Sequence, residues 1–304
     1  MAPICLFVYN RPQETSLLLD SLINCVECKD SDLIVFGDGP KTDEDKVNVD
    51  KVHSLFYKIK GFKSVTLHFR DENQGLAQSV IQGINAVFES YDSVIVLEDD
   101  LIVSKDFLSF MNDSLATYHS RADIWSISGY TPSIEIPSDY SEDTFLVQRP
   151  QWWRWATWKD RWMQVDWDAK DASVLKDRKQ KKSFNLGGND LSRTMAIWKK
   201  GNLDAWAIRW VFSAWLKNSW TLNPVHSKVK NVGFSDMATH QGWNDSRHNV
   251  EISSTPIVLN PDIQSDLRII DEFKAHHDLG FVSRVGYFLR LHNLGYKQIK
   301  RLFR

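Results

Sequence analysis

Residues 93–100 read Ser-Val-Ile-Val-Leu-Glu-Asp-Asp, an apolar run that stops abruptly on three consecutive carboxylates, Glu98, Asp99 and Asp100. The run has the length and β-branched content of a buried strand. Three acids at its C-terminal end repel one another and resist burial, so they persist where a cation or a cationic ligand neutralises them. This strand end is therefore the expected reaction centre. The competing reading is a helix N-cap with an acidic first turn.

Outward from that strand, the first 130 residues repeat one pattern: a short β-rich run, a polar or Gly-containing loop, then a helical period. Strands are predicted near Ile4–Tyr9, Leu33–Gly37, Ser64–Arg70, Ser93–Leu97 and Ile124–Ser128. Helices are predicted near Gln13–Asn24, Asp43–Lys60, Gly75–Ser90 and Lys105–His119. Such alternation specifies an α/β fold with a mostly parallel sheet flanked by helices. Ligands bind these sheets beyond the C-terminal strand ends. The loops there are Asn10-Arg11-Pro12, Asp38-Gly39-Pro40, Asp71-Glu72-Asn73-Gln74-Gly75 and Glu98-Asp99-Asp100, which put turn formers, a cation and acids on one rim. Neither Gly-x-x-x-x-Gly-Lys nor Gly-x-Gly-x-x-Gly occurs, so a P-loop ATPase and a standard dinucleotide enzyme are not supported.

Composition changes after residue 130. All 13 tryptophans lie beyond residue 124, most densely in Gln-Trp-Trp-Arg-Trp-Ala-Thr-Trp-Lys-Asp-Arg-Trp over 151–162. Aromatic faces suit the C–H faces of sugar rings, which makes Trp152, Trp153 and Trp155 candidates for acceptor binding; a tryptophan-rich core is the plainer alternative. Residues 176–190 read as a polar loop, a mobile lid or a solvated surface segment. A helical period over Leu203–Asn218 has Asp204 near its start, an extended run covers Thr221–Gly233, and a second polar loop, Gly233–Gly242, follows. Residues 281–304 hold Arg284, Arg290, Lys297, Lys300, Arg301 and Arg304 and no acid, interleaved with apolar residues. A basic amphipathic segment of this kind reads as an anchor on an anionic membrane surface, or else as a helix packed on the body. The chain divides on these grounds into 1–130, 131–262 and 263–304.

At 304 residues the chain can bury a large core, and its net charge of -2 carries no nucleic-acid signature. Three cysteines, with Cys25 and Cys28 a lone C-x-x-C, read as reduced thiols and not as a zinc site. The N-terminal apolar run lacks a basic flank and is short for a signal or spanning helix, so a cytoplasmic body is expected.

Carboxylates at a strand end, a nucleotide-sized rim and an aromatic wall suggest group transfer from a nucleotide diphosphate. Mn²⁺ or Mg²⁺ takes oxygen ligands from one or two carboxylates and from substrate phosphates, which suits Glu98-Asp99-Asp100. Here the chain resembles the GT-A-type glycosyltransferases. Pro3–Pro12 is similar to the opening strand of family 2-like bacterial sugar transferases, and Asn73-Gln74-Gly75-Leu76-Ala77 with Gly83-Ile84-Asn85 is similar to their N-x-G-x-A…G-x-N helix start. Glu98-Asp99-Asp100 followed by Asp106-Phe107 resembles the metal motif of the inverting N-acetylglucosaminyltransferases that start complex N-glycans.

The resemblance implies a GT-A, Rossmann-like fold with a merged acceptor-binding subdomain. It makes Asp100 the direct metal ligand and gives Glu98 and Asp99 the donor sugar and the metal's waters. Asp38 would receive the uracil edge; Tyr9, Asn10 and Arg11 the base and ribose or phosphate; Arg70 and Asn73 the nucleotide. Asp204 resembles the base-bearing helix start, with Asp160, Asp166, Asp168 and Asp236 in competition, and Thr239 and His240 lie in a loop like that near the diphosphate. The implied activity is inverting transfer of N-acetylglucosamine or a related hexose from a UDP-sugar to a glycan or lipid-linked glycan acceptor in surface polysaccharide biosynthesis. A sugar-1-phosphate nucleotidyltransferase and a non-catalytic carbohydrate-binding homologue are the alternatives.

Overall fold

A computed structural model describes residues 1–152, 154–233 and 250–292. The alternation read from the sequence is present. In chain order the first half runs β1 (Ile4–Val8), α1 (Pro12–Ile23), β2 (Asp32–Gly37), α2 (Asp43–Phe56), β3 (Ser64–Phe69) and α3 (Leu76–Val87), then β4 (Ser93–Glu98), β5 (Leu101–Val103), α4 (Phe107–Thr117) and β6 (Ile124–Ser128). Helix formation follows the spacing of apolar residues: α1 buries Leu18, Leu19 and Leu22, and α3 buries Ala77, Val80, Ile84 and Val87, each one stripe turned to the sheet.

The second half runs β7 (Thr144–Val147), β8 (Arg154–Trp158), α5 (Lys159–Trp162), α6 (Arg178–Phe184), α7 (Asp190–Lys199) and α8 (Ala207–Leu216), then β9 (Trp220–Pro224), β10 (Val229–Asn231), α9 (Leu267–His277) and α10 (Phe281–Leu291). Its strands extend the sheet of the first half. The order is β3-β2-β1-β4-β8-β6-β9-β7, with β10 pairing β5 in a separate ribbon. Strands β3, β2, β1 and β4 are parallel; β8 enters antiparallel between β4 and β6.

The sheet is covered on both faces. Leu18, Leu22, Phe107 and Trp158 belong to one core, and Val80, Ile84, Trp155, Trp206 and Trp210 to the other. Alternation along β8 sends Trp155 into the second core and Ala156 and Trp158 into the first. This corrects one expectation: Trp155 is fully buried, its ring 5.8, 5.7 and 5.2 Å from those of Trp162, Trp206 and Trp210. An indole sealed in a core offers no face to an acceptor, so Trp155 is a packing residue. The 176–190 loop is corrected too. A 3₁₀ turn over Lys170–Lys176 leads into α6, whose first amides, Lys179 and Gln180, are capped by the Asp177 carboxylate and whose Phe184 is buried. Cys5, Cys25 and Cys28 are buried free thiols.

Candidate active site

Parallel register brings three loop starts together. Phe7 lies opposite Glu98 and Val8 opposite Gly37, so Tyr9, Asp38 and Asp99 leave the sheet side by side. The Tyr9 amide donates to Asp99 Oδ2 at 3.0 Å, tying the β1 exit to the acid triplet. Asp38 accepts from the amides of Gly39, Gln74 and Gly75 at 2.9–3.2 Å, which pins the 71–75 loop over the end of β2. That loop approaches so closely that a side chain at Gly39 would run into the backbone of Asp71 and Glu72. The carboxylate that the resemblance gives to uracil is thus already engaged by three backbone donors. Asn73 donates to the Gly39 carbonyl at 3.0 Å, and Arg70 turns along α3 to Ser79 (2.9 Å) and Gln82 (2.8 Å).

Two groups that the sequence reading left unassigned belong to this rim. Asp45, third residue of α2, accepts from the Tyr9 hydroxyl (2.9 Å) and from Asn10 Nδ2 (2.7 Å), and so fixes the loop after β1. Only a capping-box reading of Thr42 and Asp45 was available to find it. Arg154 opens β8 opposite Leu97; it is 1% exposed, and its guanidinium lies 3.7 Å from the centre of the Tyr130 ring. Burial pushes Arg154 down to about 10, against the pull of Tyr130, Asp100 and Glu98. The arginine set between Trp153 and Trp155 was the visible signal.

The acids themselves are under strain of charge. Burial and then Asp100 push Asp99 up to about 7, and burial with both aspartates lifts Glu98 well above the usual carboxylate range. Arg11 opposes this: its Nη1 lies 2.6 Å from Asp100 Oδ2 and 4.0 Å from Asp99 Oδ1. Asp100 Oδ1 is buried without a hydrogen-bond partner among the described residues. Among those residues no three His, Cys, Asp or Glu side chains converge to enclose a metal ion. A divalent ion that keeps waters and takes phosphate oxygens does not need such a cage. An unsatisfied carboxylate oxygen in a cluster of three acids fits it.

Asp204 sits just before α8, exposed, and its Oδ2 is 3.6 Å from where a Cβ on Gly75 would lie, so the second half reaches the rim of strand-end loops at this residue. Its competitors are placed otherwise. Asp160 follows Trp158, which pairs with Ser93 at the far end of β4, and it is held by Arg161 at 2.7 Å. Asp166 accepts from the amides of Asp168 and Lys170, and Asp168 lies 3.9 Å from Lys170 at the surface. Near Asp204, Arg209 lies between two half-buried indoles, 5.7 Å from the Trp167 ring and 5.2 Å from that of Trp198. Trp152 is also half-buried, with Arg149 5.1 Å from its ring. Trp153, Asp236, Thr239 and His240 lie outside the described residues.

Residues 4–131 match the family model described as Glycosyl transferase family 2. No curated protein matches the chain. Among solved structures the chain is similar to S. aureus TarS 1–349 (12% identity, 76% of this chain and 60% of that one, TM-score 0.39). It is also similar to the mannosyltransferase PcManGT from Pyrobaculum calidifontis in complex with GDP-Man and Mn²⁺ (15%, 53% and 46%, TM-score 0.35). A second S. aureus TarS structure overlaps less (16%, 47% and 24%, TM-score 0.30). The chain therefore spans between a quarter and three-fifths of these proteins. At these TM-scores the likeness carries nothing into the site, which rests on its own geometry.

Proposed function

We propose that the chain is a glycosyltransferase of the GT-A type, its residues 4–131 matching the glycosyl transferase family 2 model, and that it is an inverting transferase that moves N-acetylglucosamine or a related hexose from a UDP donor to a glycan acceptor. The observation that carries this reading is the position of Asp204, an exposed carboxylate contributed by the second half against Gly75 of the donor rim. Inversion needs a base on the acceptor side of the sugar, opposite the departing diphosphate, and the exposed Asp204 carboxylate, in no ion pair among the described residues, supports that role. It would take the proton from the attacking hydroxyl. Tyr9 and Asn10, braced by Asp45, would hold the nucleotide with Arg11, and Glu98 and Asp99 would face the donor sugar.

Asp100 is the residue that would hold Mn²⁺ or Mg²⁺, with Asp99 and Glu98 behind it. When bound, such an ion supplies Lewis-acid stabilisation of the leaving diphosphate. Trp152, Trp167 and Trp198 replace Trp155 as the aromatic surfaces open to an acceptor. Their partial exposure near Asp204 and Arg209 supports that reading, and a lipid-linked surface-polysaccharide precursor is the acceptor class proposed.

Contact with an anionic membrane is proposed for α10. Phe281, Val282 and Phe288 are 81, 83 and 55% exposed and share the helix with Arg284 and Arg290, while the helix leans on the body through Asn202, which donates to the Arg290 carbonyl at 3.0 Å. Among the described residues no helix is long and apolar enough to cross a membrane. The whole reading is tested by UDP release from a panel of UDP-sugars with and without EDTA, using vesicle-bound and free enzyme. Release from one UDP-hexose, lost on chelation, is the expected result; formation of nucleotide sugar from UTP and a sugar 1-phosphate would replace it with the nucleotidyltransferase reading.

A further inference from the structure

We infer that Arg11 is an exchangeable counter-ion, which holds the cation's place on Asp100 until a divalent ion and the donor diphosphate displace it together. The inference deepens the proposed function, since it rests on Asp100 being the cation ligand.

Two guanidinium groups bracket the acid triplet, and they are held in different ways. Arg154 is immobile: it is 1% exposed, lies in a strand paired on both sides, and packs against the Tyr130 ring. Arg11 is outside every strand ladder, at the entry to α1, with its side chain 23% exposed. Its backbone is secured, because the Arg11 carbonyl accepts from both the amide (3.0 Å) and the hydroxyl (2.7 Å) of Thr15. The loop is therefore anchored independently of the partner that the side chain holds.

Arg11 also occupies one of the two Asp100 oxygens that a metal would use. Its Nη1 is 2.6 Å from Asp100 Oδ2, and a Cβ at Gly233 would overlap that same oxygen and approach Nη1 to 2.8 Å, so the end of β10 closes over the ion pair. A divalent cation on Asp100 would compete for Oδ2 and repel the guanidinium at close range. A released Arg11 then needs an anion, and a diphosphate meets its planar fork well. Cation and nucleotide each favour the state in which Arg11 has let go of Asp100. They should thus bind with positive coupling, and the coupling must be reciprocal.

The test is Mn²⁺ binding to the full chain, followed by electron paramagnetic resonance of free Mn²⁺, with and without UDP. Without UDP, Arg11→Gln should bind Mn²⁺ about tenfold or more tightly than the wild type, because the competing cation is gone, and the gain in Mn²⁺ affinity on adding UDP should shrink. Mn²⁺ affinity equal to or weaker than wild type in the UDP-free variant would overturn the inference. Asp100→Asn separates the two layers of the claim. If it binds Mn²⁺ like the wild type, the metal reading of Asp100 fails; if it loses Mn²⁺ while Arg11→Gln gains nothing, only the counter-ion inference fails. Should Arg11→Gln not fold, Mg²⁺ titration of the wild type observed at the Arg11 side-chain ¹⁵N resonance decides. A shift without nucleotide supports the exchange, and an unmoved resonance while Mg²⁺ binds rejects it.

Discussion

Strands β4 and β8 lie side by side, and the chain treats their two notable segments in opposite ways. Glu98, Asp99 and Asp100 leave the sheet at the end of β4, where Arg11 and Arg154 answer them. The tryptophans of β8 go inward, Trp155 against Trp210 on one face and Trp158 on the other, with its Nε1 donating to the Leu115 carbonyl at 3.1 Å. Both segments invite a functional reading from sequence. The difference lies in the cost of burial: an indole gains several kcal/mol from a core, whereas an ionised carboxylate loses more unless a partner waits for it. A run of acids at a strand end is therefore directional information, and a run of tryptophans is not.

The comparison breaks or sharpens on four measurements. The largest effect belongs to Asp204, where the two halves meet. Asp204→Asn should lower kcat by about 10²–10⁴-fold with UDP affinity unchanged, the range expected for a lost general base; near-normal turnover would remove Asp204 from that role. Next is Trp155→Ala, expected to cost about 3–5 kcal/mol in urea unfolding, with acceptor KM intact in whatever fraction folds. A mild stability loss paired with a large rise in acceptor KM would return Trp155 to the acceptor wall. Trp198→Ala should do the reverse on a smaller scale, raising acceptor KM about three- to tenfold with little change in the unfolding midpoint.

The smallest effect concerns Asp45. Partial burial raises its pKa, but hydrogen bonds from Tyr9, Asn10 and Thr42 more than offset this, so the folded value lies below the ordinary one. A lowered folded pKa contributes stability that is present above the unfolded value near pH 3.9 and lost as pH falls through the folded value. At so exposed a site Asp45→Asn should cost less than about 1 kcal/mol at neutral pH. The difference from wild type in the unfolding midpoint should close as the solution is acidified, and a gap that persists in acid would mean that the charge is not what braces Tyr9 and Asn10.

Much of the first half was legible because each of its signals was local. The apolar runs at Ile4–Val8 and Ser93–Glu98 and the stripe on α3 stand where period and burial put them. Asp204 was legible only through resemblance, since nothing in Leu203–Ala205 announces that it will meet Gly75. Arg154 and Asp45 were missed for the same reason: their partners are distant in sequence, Tyr130 and the acid triplet in one case and Tyr9 and Asn10 in the other. Residues 176–190 misled because a high density of lysine and arginine looks like a loop when one buried phenylalanine and one capping aspartate suffice to make a short helix.

The joint between the halves is a ladder of backbone hydrogen bonds, since β8 completes the edge of β4 from Ser93 to Leu97. A segment ending at residue 131, where the family model stops, would leave that edge bare, five residues of apolar strand ready to recruit another chain. The two parts should thus resist being shuffled as modules. An engineer who wished to graft a new second half onto the first would have to supply a strand in the place of β8, paired with both β4 and β6.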